Sequence, residues 1–289
     1  MNYIVFDLEW NIAGRVNKVD PAHQAVMPHE IIEIGAVKLD GEFRQISKYS
    51  VYIRPKLYPI LSGHIAAVTR RLQQSLKYGL PFPEAAREFL NWCGEDYMFC
   101  TWTESDTATL KMNLKFYGLD EQLVRCLDAQ YVFSEQIEKS DMQRSIEYAV
   151  DYLRLPKSQP FHQAINDAWY TGLILREMAT ILKSEQPDGN FIDRYAFDPN
   201  LNRSYQMTMV GMATVDAALA ELSGQNLTCP ACGLELVPRA AWIRAGNKAE
   251  AAFACPVHGP VFGRSRFKLR GNELLQTSVT IRLDRDQER

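Results

Sequence analysis

The stretch YIVFDLEW, residues 3–10, begins with apolar, β-branched and aromatic residues and then carries two acids, Asp7 and Glu9. This composition predicts a β-strand. Because alternate side chains of a strand leave the same face, the two carboxylates point the same way and can bind one ion. Like charges at short range repel, and Mg²⁺, which prefers oxygen ligands, relieves that repulsion. The pair predicts either a divalent-metal site or two acids that face solvent at a strand end.

Two more strand patterns follow and predict the start of a sheet. EIIEIGAVKL covers residues 30–39 and YSVYI covers residues 49–53, with the turn signal Asp40-Gly41 between them. Three successive strands predict an antiparallel meander. Helical periodicities come next, at residues 83–93, 106–117, 141–153 and 166–182, and residues 98–101 form a short apolar strand pattern between the first two. We therefore expect an α/β fold, a mixed sheet flanked by helices.

The length of 289 residues and the hydrophobic content of 46% allow one large core and one smaller core. Residues 183–202, KSEQPDGNFIDRYAFDPNLN, are polar and contain Pro, Gly and Asn, which indicates a linker. We expect a first domain over residues 1–183, a linker over residues 184–223 and a small C-terminal domain over residues 224–289. The linker would contain a helix near residues 207–222.

Charge and cysteine usage indicate the compartment and the kind of partner. Residues 223–289 contain 10 basic and 6 acidic residues, which gives a charge of +4. The rest of the chain contains 22 basic and 29 acidic residues, which gives a charge of −7. Cys93, Cys100 and Cys126 are scattered among apolar residues, which suits buried reduced thiols. The N-terminus lacks a secretory pattern, and no apolar window approaches the ~18 residues of a membrane span. We expect a cytoplasmic protein that does not contact a membrane.

Three further polar residues are candidates for the site. Asp106 follows a strand pattern in WTESD, where it either reaches the acidic pair or caps the next helix. His162 and Asp167 are five residues apart, and on one continuous helix they would diverge by about 140°. Pro160 indicates that His162 lies on the entering loop or in the first turn while Asp167 lies inside the helix, so both side chains can converge. The alternative for His162 is a packed or surface histidine.

Taken together, FDLEW, EIIEIGAVKL, WTESD and H-x4-D resemble, in order and spacing over residues 1–182, the DEDDh family of 3′-to-5′ exonucleases, whose fold is ribonuclease H-like. The resemblance implies that Asp7, Glu9, Asp106 and Asp167 bind two Mg²⁺ or Mn²⁺ ions and that His162 is the general base. It also implies hydrolysis of terminal phosphodiesters at single-stranded RNA or DNA 3′ ends to nucleoside 5′-monophosphates, with RNA slightly preferred.

The residue chemistry agrees with this assignment. Two metal ions about 3.5–4 Å apart activate water and stabilise a departing oxygen, and a histidine of ordinary pKa near ~6.5 accepts the proton. The motif of the family that seats the terminal nucleotide corresponds to VTRRL here, with Thr69 retained and Arg70 where Gly is common. Trp10 likewise replaces the small residue that often follows the acidic pair.

Two rival functions remain open. One is an inactive nucleic-acid-binding or scaffold protein that retains the fold, and the other is an endonuclease of the ribonuclease H type, which needs the carboxylates but no partner for His162. The five clustered polar residues favour the exonuclease over the scaffold, because holding them together without a use is costly.

Cys229-Pro-Ala-Cys232-Gly and Cys255-Pro-Val-His258-Gly form two knuckle-like pairs of ligands. Four such ligands predict a tetrahedral, structural zinc site, and the glycine after each pair favours the tight turn of a knuckle. Residues 228–283 resemble zinc ribbons in general, and the resemblance implies a zinc-ribbon-like β domain. The alternatives are thiols without a metal and a catalytic metal.

The segment RSRFKLR, residues 264–270, alternates basic and other residues. On a strand, Arg264, Arg266, Lys268 and Arg270 would share one face, opposite to Phe267 and Leu269. Such a stripe either binds a phosphate backbone or keeps an exposed sheet face soluble.

Overall fold

The computed structural model describes residues 1–14, 17–69, 73–140, 142–185, 191–270 and 273–283. The chain forms two compact units, Met1–Pro199 and Asn200–Arg289. Each unit contains a sheet of its own.

The strands of the first unit are β1 (Asn2–Ile12), β2 (His29–Leu39), β3 (Gln45–Tyr52), β4 (Tyr97–Thr101), β5 (Cys126–Asp128) and β6 (Ala196–Phe197). They form a mixed sheet in the order β3-β2-β1-β4-β5-β6. The first three strands are antiparallel neighbours, which confirms the predicted meander. β4 and β5 continue parallel to β1, and β6 pairs antiparallel with β5.

The helices of the first unit are α1 (Pro21–Val26), α2 (Gly63–Thr69), α3 (Gln73–Lys77), α4 (Phe82–Cys93), α5 (Glu104–Phe116), α6 (Ala129–Val132), α7 (Ile146–Tyr152), α8 (Ala164–Glu185) and α9 (Phe191–Tyr195). The expected α/β architecture of a mixed sheet with flanking helices is therefore confirmed. Directly after α6, Phe133–Glu138 is a π-helix. Because a π-helix departs from the 3.6-residue period, residues 129–138 carry no clear helical pattern in the sequence.

The alternation of side chains along β1 divides the core into two layers. Ile4 and Phe6 pack with the buried residues of α4 and α5 on one face of the sheet. Tyr3 and Val5 pack with α8 on the other face. Asp7 and Glu9 continue the second series, so the fold directs both acids toward the side of the sheet that α8 covers.

A loop beside the end of β1 is held by buried polar side chains. The Glu30 carboxylate accepts hydrogen bonds from the backbone N–H groups of residues 56–58 and from the Tyr117 hydroxyl. Asn11 donates to the carbonyls of Tyr58 and Ile60. Buried carboxylate and amide groups are stable only when they are hydrogen-bonded in this way, so these contacts order the segment that leads into α2.

The second unit contains β7 (Ser204–Met209), α10 (Val215–Gly224), β8 (Val237–Ala245), β9 (Lys248–Cys255), β10 (Gly259–Arg270) and β11 (Glu273–Leu283). Its strands form an antiparallel sheet in the order β7-β11-β10-β9-β8. Val261 and Phe267 of β10 are buried, whereas Arg264 and Arg266 are exposed. One face of this sheet therefore carries the core of the unit and the other is open.

The division of the chain differs from the linker expected over residues 184–223. Ile192, Tyr195 and Phe197 bury their side chains in the first unit, so α9 and β6 belong there. The start of the helix expected near residues 207–222 is instead the strand β7, whose alternating exposure suits a sheet with one open face. The structure thus changes from the first unit to the second between Pro199 and Asn200.

None of the helices that the structure describes has the length and apolar character needed to cross a bilayer.

Gly35→Ala is expected to destabilise the first unit, because α8 approaches β2 closely at this residue. A Cβ at residue 35 would lie 2.5 Å from the Cα of Ile165 and nearer still to other backbone atoms of α8. Backbone atoms cannot move aside as the end of a side chain can, and overpacking of a core costs about 1–3 kcal/mol or more. Chemical denaturation measures the loss in the free energy of unfolding.

Gly172→Ala is the matched control, since Gly172 lies within α8 and also faces β2. A Cβ there would meet the Val37 Cγ2 at 3.2 Å, a side-chain atom that can shift. Alanine also favours the helix by about 1 kcal/mol over glycine. Equal losses in the two variants would contradict a close approach specific to Gly35.

Candidate active site

Carboxylates from β1 and α8 meet beside the sheet. Asp7 and Glu9 lie on β1, and Asp167 lies in the first turn of α8. One carboxylate oxygen from each of the three lies within 4.8 Å of the others. The strand and the helix thus join acids that are about 160 residues apart in sequence.

Asp167 also determines the position of His162. Its Oδ2 accepts a hydrogen bond of 2.9 Å from the His162 backbone N–H, while its Oδ1 is buried with no hydrogen-bond partner among the described residues. His162 lies on the loop before α8, which is one of the two positions that Pro160 indicated, and has a φ of 64°. Non-glycine residues in this left-handed region are uncommon and are often found at functional sites. The histidine side chain is exposed.

Asp106 approaches the same strand end from α5. Its Oδ1 accepts a hydrogen bond of 3.1 Å from the backbone N–H of Leu8, the residue between Asp7 and Glu9. This bond holds the Asp106 carboxylate beside β1. The N-cap of α5 is Thr103, so Asp106 lies within the first turn and is not the cap. It is 5% exposed. Asp106 is not one of the three acids with oxygens within 4.8 Å, but its charge acts on Asp7.

Burial and mutual repulsion raise the pKa values of these acids. Burial raises the pKa of Asp7 well above its usual 3.8, and the charges of Asp106 and Asp167 raise it further. Burial raises the pKa of Asp106 to about 7, although the Leu8 N–H opposes the shift. Burial likewise raises the pKa of Asp167 to about 7, against the His162 N–H. A cation among these oxygens would remove the penalty, so the donor set fits a hard divalent metal ion.

Two acids near the site were not predicted. Glu33 pairs with Glu9 across β1 and β2, is 1% exposed, and its charge raises the pKa values of Asp7 and Asp167. Asp128, at the end of β5, is buried, caps α6, and its charge raises the pKa of Asp106. An acid inside an apolar strand pattern such as EIIEIGAVKL is the signal that could have identified Glu33, because burying an unneeded charge is costly.

The residues predicted to seat the terminal nucleotide lie near the end of α2. Thr69 is buried, and its hydroxyl donates to the Ile65 carbonyl within that helix. Arg70 lies outside the described residues. Trp10 packs its ring 5.3 Å from that of His29. The nucleotide-contacting role of Thr69 stays a prediction.

The predicted zinc ligands come together in the second unit. The Cys232 and Cys255 Sγ atoms are 3.6 Å apart, and the His258 Nδ1 lies 3.6 Å from the Cys229 Sγ and 3.7 Å from the Cys255 Sγ. A tetrahedron with zinc–sulfur bonds of about 2.3 Å has edges of roughly 3.8 Å. Gly233 and Gly259 follow the two pairs with φ values of 74° and 68°, which are turns that glycine favours. The geometry and donors fit a zinc ion.

The basic residues predicted to share a face lie on β10. Arg264, Arg266, Lys268 and Arg270 are all exposed, whereas Phe267 between them is buried. Arg264 pairs with Glu250 of β9 at 2.9 Å. The alternation expected from RSRFKLR is therefore present, and the role of the stripe in binding stays a prediction.

Solved structures similar to this chain include a nuclease domain, a protein bound to Mg²⁺ and Mn²⁺, and a complex with single-stranded DNA. The nuclease domain of 3′hExo, a DEDDh family member, bound to rAMP, has a TM-score of 0.55 and 16% identity, with 62% of this chain and 92% of that chain covered. S. pombe Pop2p in its Mg²⁺- and Mn²⁺-bound form has a TM-score of 0.50 and 18% identity, with 67% and 87% covered.

The third is the zinc-bound E. coli ExoI–ssDNA complex, with a TM-score of 0.51 and 14% identity. It covers 87% of this chain, which spans about half (54%) of that longer chain. At these identities the likeness shows the fold, and that fold is ribonuclease H-like. The comparison with curated protein sequences gives no significant match.

A family model described as an exonuclease, RNase_T, matches residues 4–175, which is more than half of the 289 residues. The matched region contains most of the sheet of the first unit, without β6, and the acids of the candidate site, which are Asp7, Glu9, Glu33, Asp106, Asp128 and Asp167. The chain therefore belongs to the RNase_T exonuclease family.

Proposed function

We propose that this chain is a metal-dependent 3′-to-5′ exonuclease that shortens single-stranded RNA or DNA and releases nucleoside 5′-monophosphates, with RNA slightly preferred. The observation that carries the proposal is the approach of the Asp7, Glu9 and Asp167 oxygens to within 4.8 Å, next to the exposed His162. Hydrolysis of a phosphodiester needs charge stabilisation and a base, and this cluster supplies both.

The carboxylates hold the metal ions in this proposal. Asp7, Glu9, Asp106 and Asp167 would bind two Mg²⁺ or Mn²⁺ ions, which when bound supply the charge that activates water and stabilises the departing oxygen. Asp106 keeps its carboxylate in place through the Leu8 N–H. Asp167 accepts the His162 N–H with Oδ2 and leaves Oδ1 for an ion.

His162 acts as the general base in the same proposal. Its ring has no hydrogen bond within the described part of the chain, so both nitrogens are accessible to water and substrate. Asp167 holds the backbone of His162 and so positions the ring. A neutral imidazole can accept a proton from water, which is the step that produces the nucleophile.

The rivals are an inactive binding protein and an endonuclease, and the raised pKa values count against the first. Asp7, Asp106 and Asp167 all resist ionisation when buried together, so an unused cluster would lower the stability of the fold at neutral pH. The buried free thiols of Cys93, Cys100 and Cys126 suit a reducing compartment, which supports the cytoplasm as its location.

We also propose that Cys229, Cys232, Cys255 and His258 bind a structural zinc ion. Four protein ligands leave no open position for water, so the ion would stabilise the second unit and take no part in hydrolysis. The side chains of Cys229 and Cys255 are buried with the core of that unit, whereas Cys232 is exposed and His258 is half-buried.

Incubation of 5′-labelled single-stranded RNA with Mg²⁺ tests the activity. The proposal predicts a ladder that shortens from the 3′ end, with nucleoside 5′-monophosphates as products. Asp7→Ala should abolish turnover. His162→Asn should lower kcat by about 10²–10⁴-fold with little loss of stability, because asparagine tolerates a positive φ.

The control for His162 is His23→Asn, which alters an exposed histidine of α1 and should leave kcat unchanged. Internal fragments at the earliest times would show an endonuclease, and an intact strand would show a binding protein. Either product pattern contradicts the proposal.

Asp106→Asn should stabilise the metal-free protein at neutral and alkaline pH. The folded-state pKa of Asp106 is raised to about 7, so its contribution to stability is fully present below about pH 4 and is lost as pH rises through about 7. Asparagine keeps the acceptor for the Leu8 N–H without the charge. The gain in the free energy of unfolding should be roughly 1–3 kcal/mol above pH 7 and vanish near pH 4.

Thermal unfolding with and without Mg²⁺ measures this effect. The metal should stabilise the wild type more than Asp106→Asn. Asp120→Asn is the matched control, since Asp120 also accepts a backbone N–H, from Gln122 at 3.0 Å, but is exposed. A pH-independent difference between Asp106→Asn and the wild type would overturn the account of this carboxylate.

Cys232→Ser should release zinc and destabilise the second unit, because serine is a poor zinc ligand. Elemental analysis should find about one zinc per wild-type chain and much less in the variant. Cys93→Ala alters a buried thiol of the first unit and should leave the zinc content at the wild-type level. An unchanged zinc content in Cys232→Ser would exclude this site.

A further inference from the structure

The open face of the second sheet has features that structural zinc does not explain. This face, called the outer face below, carries the side chains that point away from the core of the second unit, centred on Phe262, Arg264, Arg266 and Lys268 of β10. The intervening residues of β10, Val261, Ser265 and Phe267, are buried on the opposite face. Hydrogen-bonding side chains of β11 flank the centre, with Thr280 opposite Arg264 and Ser278 opposite Arg266.

The outer face is concave. Residues of β7, β9, β10 and β11 enclose an open depression of about 700 Å³, lined by Phe262, Arg264, Arg266, Gln206, Ser278 and Thr280. A depression bounded by strands differs from the flat surface that a merely solvated sheet presents. Among the described residues, its lining combines three arginines, hydroxyls and one large aromatic ring with a single carboxylate, that of Glu250, and this excess of cations suits a polyanion that also has flat apolar groups.

The charge of the outer face is positive and only partly neutralised. Arg264 is paired with Glu250, and both side chains are more than half exposed, so solvent weakens this pair. Arg266 and Lys268 form no salt bridge with any residue that the structure describes. Lys248 lies opposite Arg266 on β9 and adds a further cation. Cations without partners on a concave face favour binding of phosphate groups through counterion release.

Phe262 indicates what kind of polyanion fits. Its side chain is 50% exposed on the strand where Val261 and Phe267 are buried. An exposed aromatic ring beside cations is the arrangement on which unpaired bases stack while the phosphates meet Arg and Lys. Residues i and i+2 of a strand are about 7 Å apart, so Phe262, Arg264, Arg266 and Lys268 form a regular row. A duplex offers no free base face, so the arrangement favours a single strand.

We propose that the outer face is a second binding site for single-stranded nucleic acid, on a different unit from the catalytic carboxylates. Arg266 and Lys268 contact phosphates of the nucleic acid, and Phe262 stacks on a base. The hydroxyls of Ser278 and Thr280 form hydrogen bonds with the nucleic acid. The identity of the ligand rests on the proposed function. The site itself acts in binding and has no role in the hydrolytic step.

Fluorescence anisotropy with labelled oligouridylate tests the proposal on the zinc-loaded chain of 289 residues. Asp7→Asn in all samples prevents degradation of the probe. Arg266→Glu with Lys268→Glu should weaken binding at least tenfold and reduce the slope of log Kd against log salt by about 0.7 for each lost phosphate contact. Phe262→Ala should weaken binding about tenfold with an unchanged salt slope, because it removes stacking and no charge.

Arg244→Glu is the matched control. Arg244 is an exposed cation of the same sheet, but it lies on the face opposite to the outer face. Its register partner on β9 is the buried Ala249, and its guanidinium lies 3.6 Å from the Asp216 carboxylate of α10. It should change affinity little. Zinc content and thermal unfolding verify that each variant is folded, and Arg266→Gln with Lys268→Gln replaces the charge reversal if that variant is unstable.

Hydrolysis separates this proposal from the proposed function. In chains with Asp7 intact, the double variant should raise KM for a long oligouridylate and leave the hydrolysis of the dinucleotide UpU unchanged. Wild-type affinity and KM in the folded double variant would overturn the second site while leaving the exonuclease intact. Absence of mononucleotide release from the wild type would overturn the proposed function, and the binding data would still decide on the outer face.

Discussion

Repulsion among buried carboxylates is the constraint on which the first unit depends. Asp7, Glu9 and Asp167 place oxygens within 4.8 Å of one another, and the charges of Asp106 and Glu33 act on the same group. Such a cluster is stable only if some of its members bind protons or if a cation lies among them. Burial raises the pKa values of Asp7, Asp106 and Asp167, and the charges of the neighbouring acids raise them further.

The fold holds the cluster together by the close approach of β2 and α8. Gly35 allows the first turn of α8 to contact the sheet, and Asp167 lies in that turn. The same turn holds His162 in a left-handed conformation through the Asp167 carboxylate. One contact between a helix and a strand therefore positions Asp167 and the backbone of His162, which explains how a small set of residues can define the site.

Much of this arrangement was predictable from local patterns. The apolar and β-branched composition of residues 3–10 and 30–39 predicted the strands, and Pro160 predicted that His162 lies on the entering loop or in the first turn of the helix that holds Asp167. Cys and His pairs at fixed spacing predicted a cluster that the structure brings together. These features depend on residues that are neighbours in sequence, so local sequence patterns are sufficient to predict them.

The features that could not be predicted depend on contacts between distant residues. Glu33 is part of the acidic cluster only because β2 pairs with β1, and Asp106 bonds to Leu8 only because α5 begins beside the end of β1. Residues 204–209 contain apolar and polar residues that suit either a helix or a strand, and pairing with β11 selects the strand. The polar composition of residues 183–202 predicted a linker, whereas the side chains of Ile192 and Tyr195 within it are buried in the first unit.

The central claim is that these acids bind divalent metal ions, and anomalous diffraction from crystals grown with Mn²⁺ tests it most directly. The account predicts anomalous peaks in contact with carboxylate oxygens of Asp7, Glu9 and Asp167, with Asp106 completing the site. Crystals in which this cluster is ordered at neutral pH, with Mn²⁺ in excess and no peak among the four acids, would contradict it.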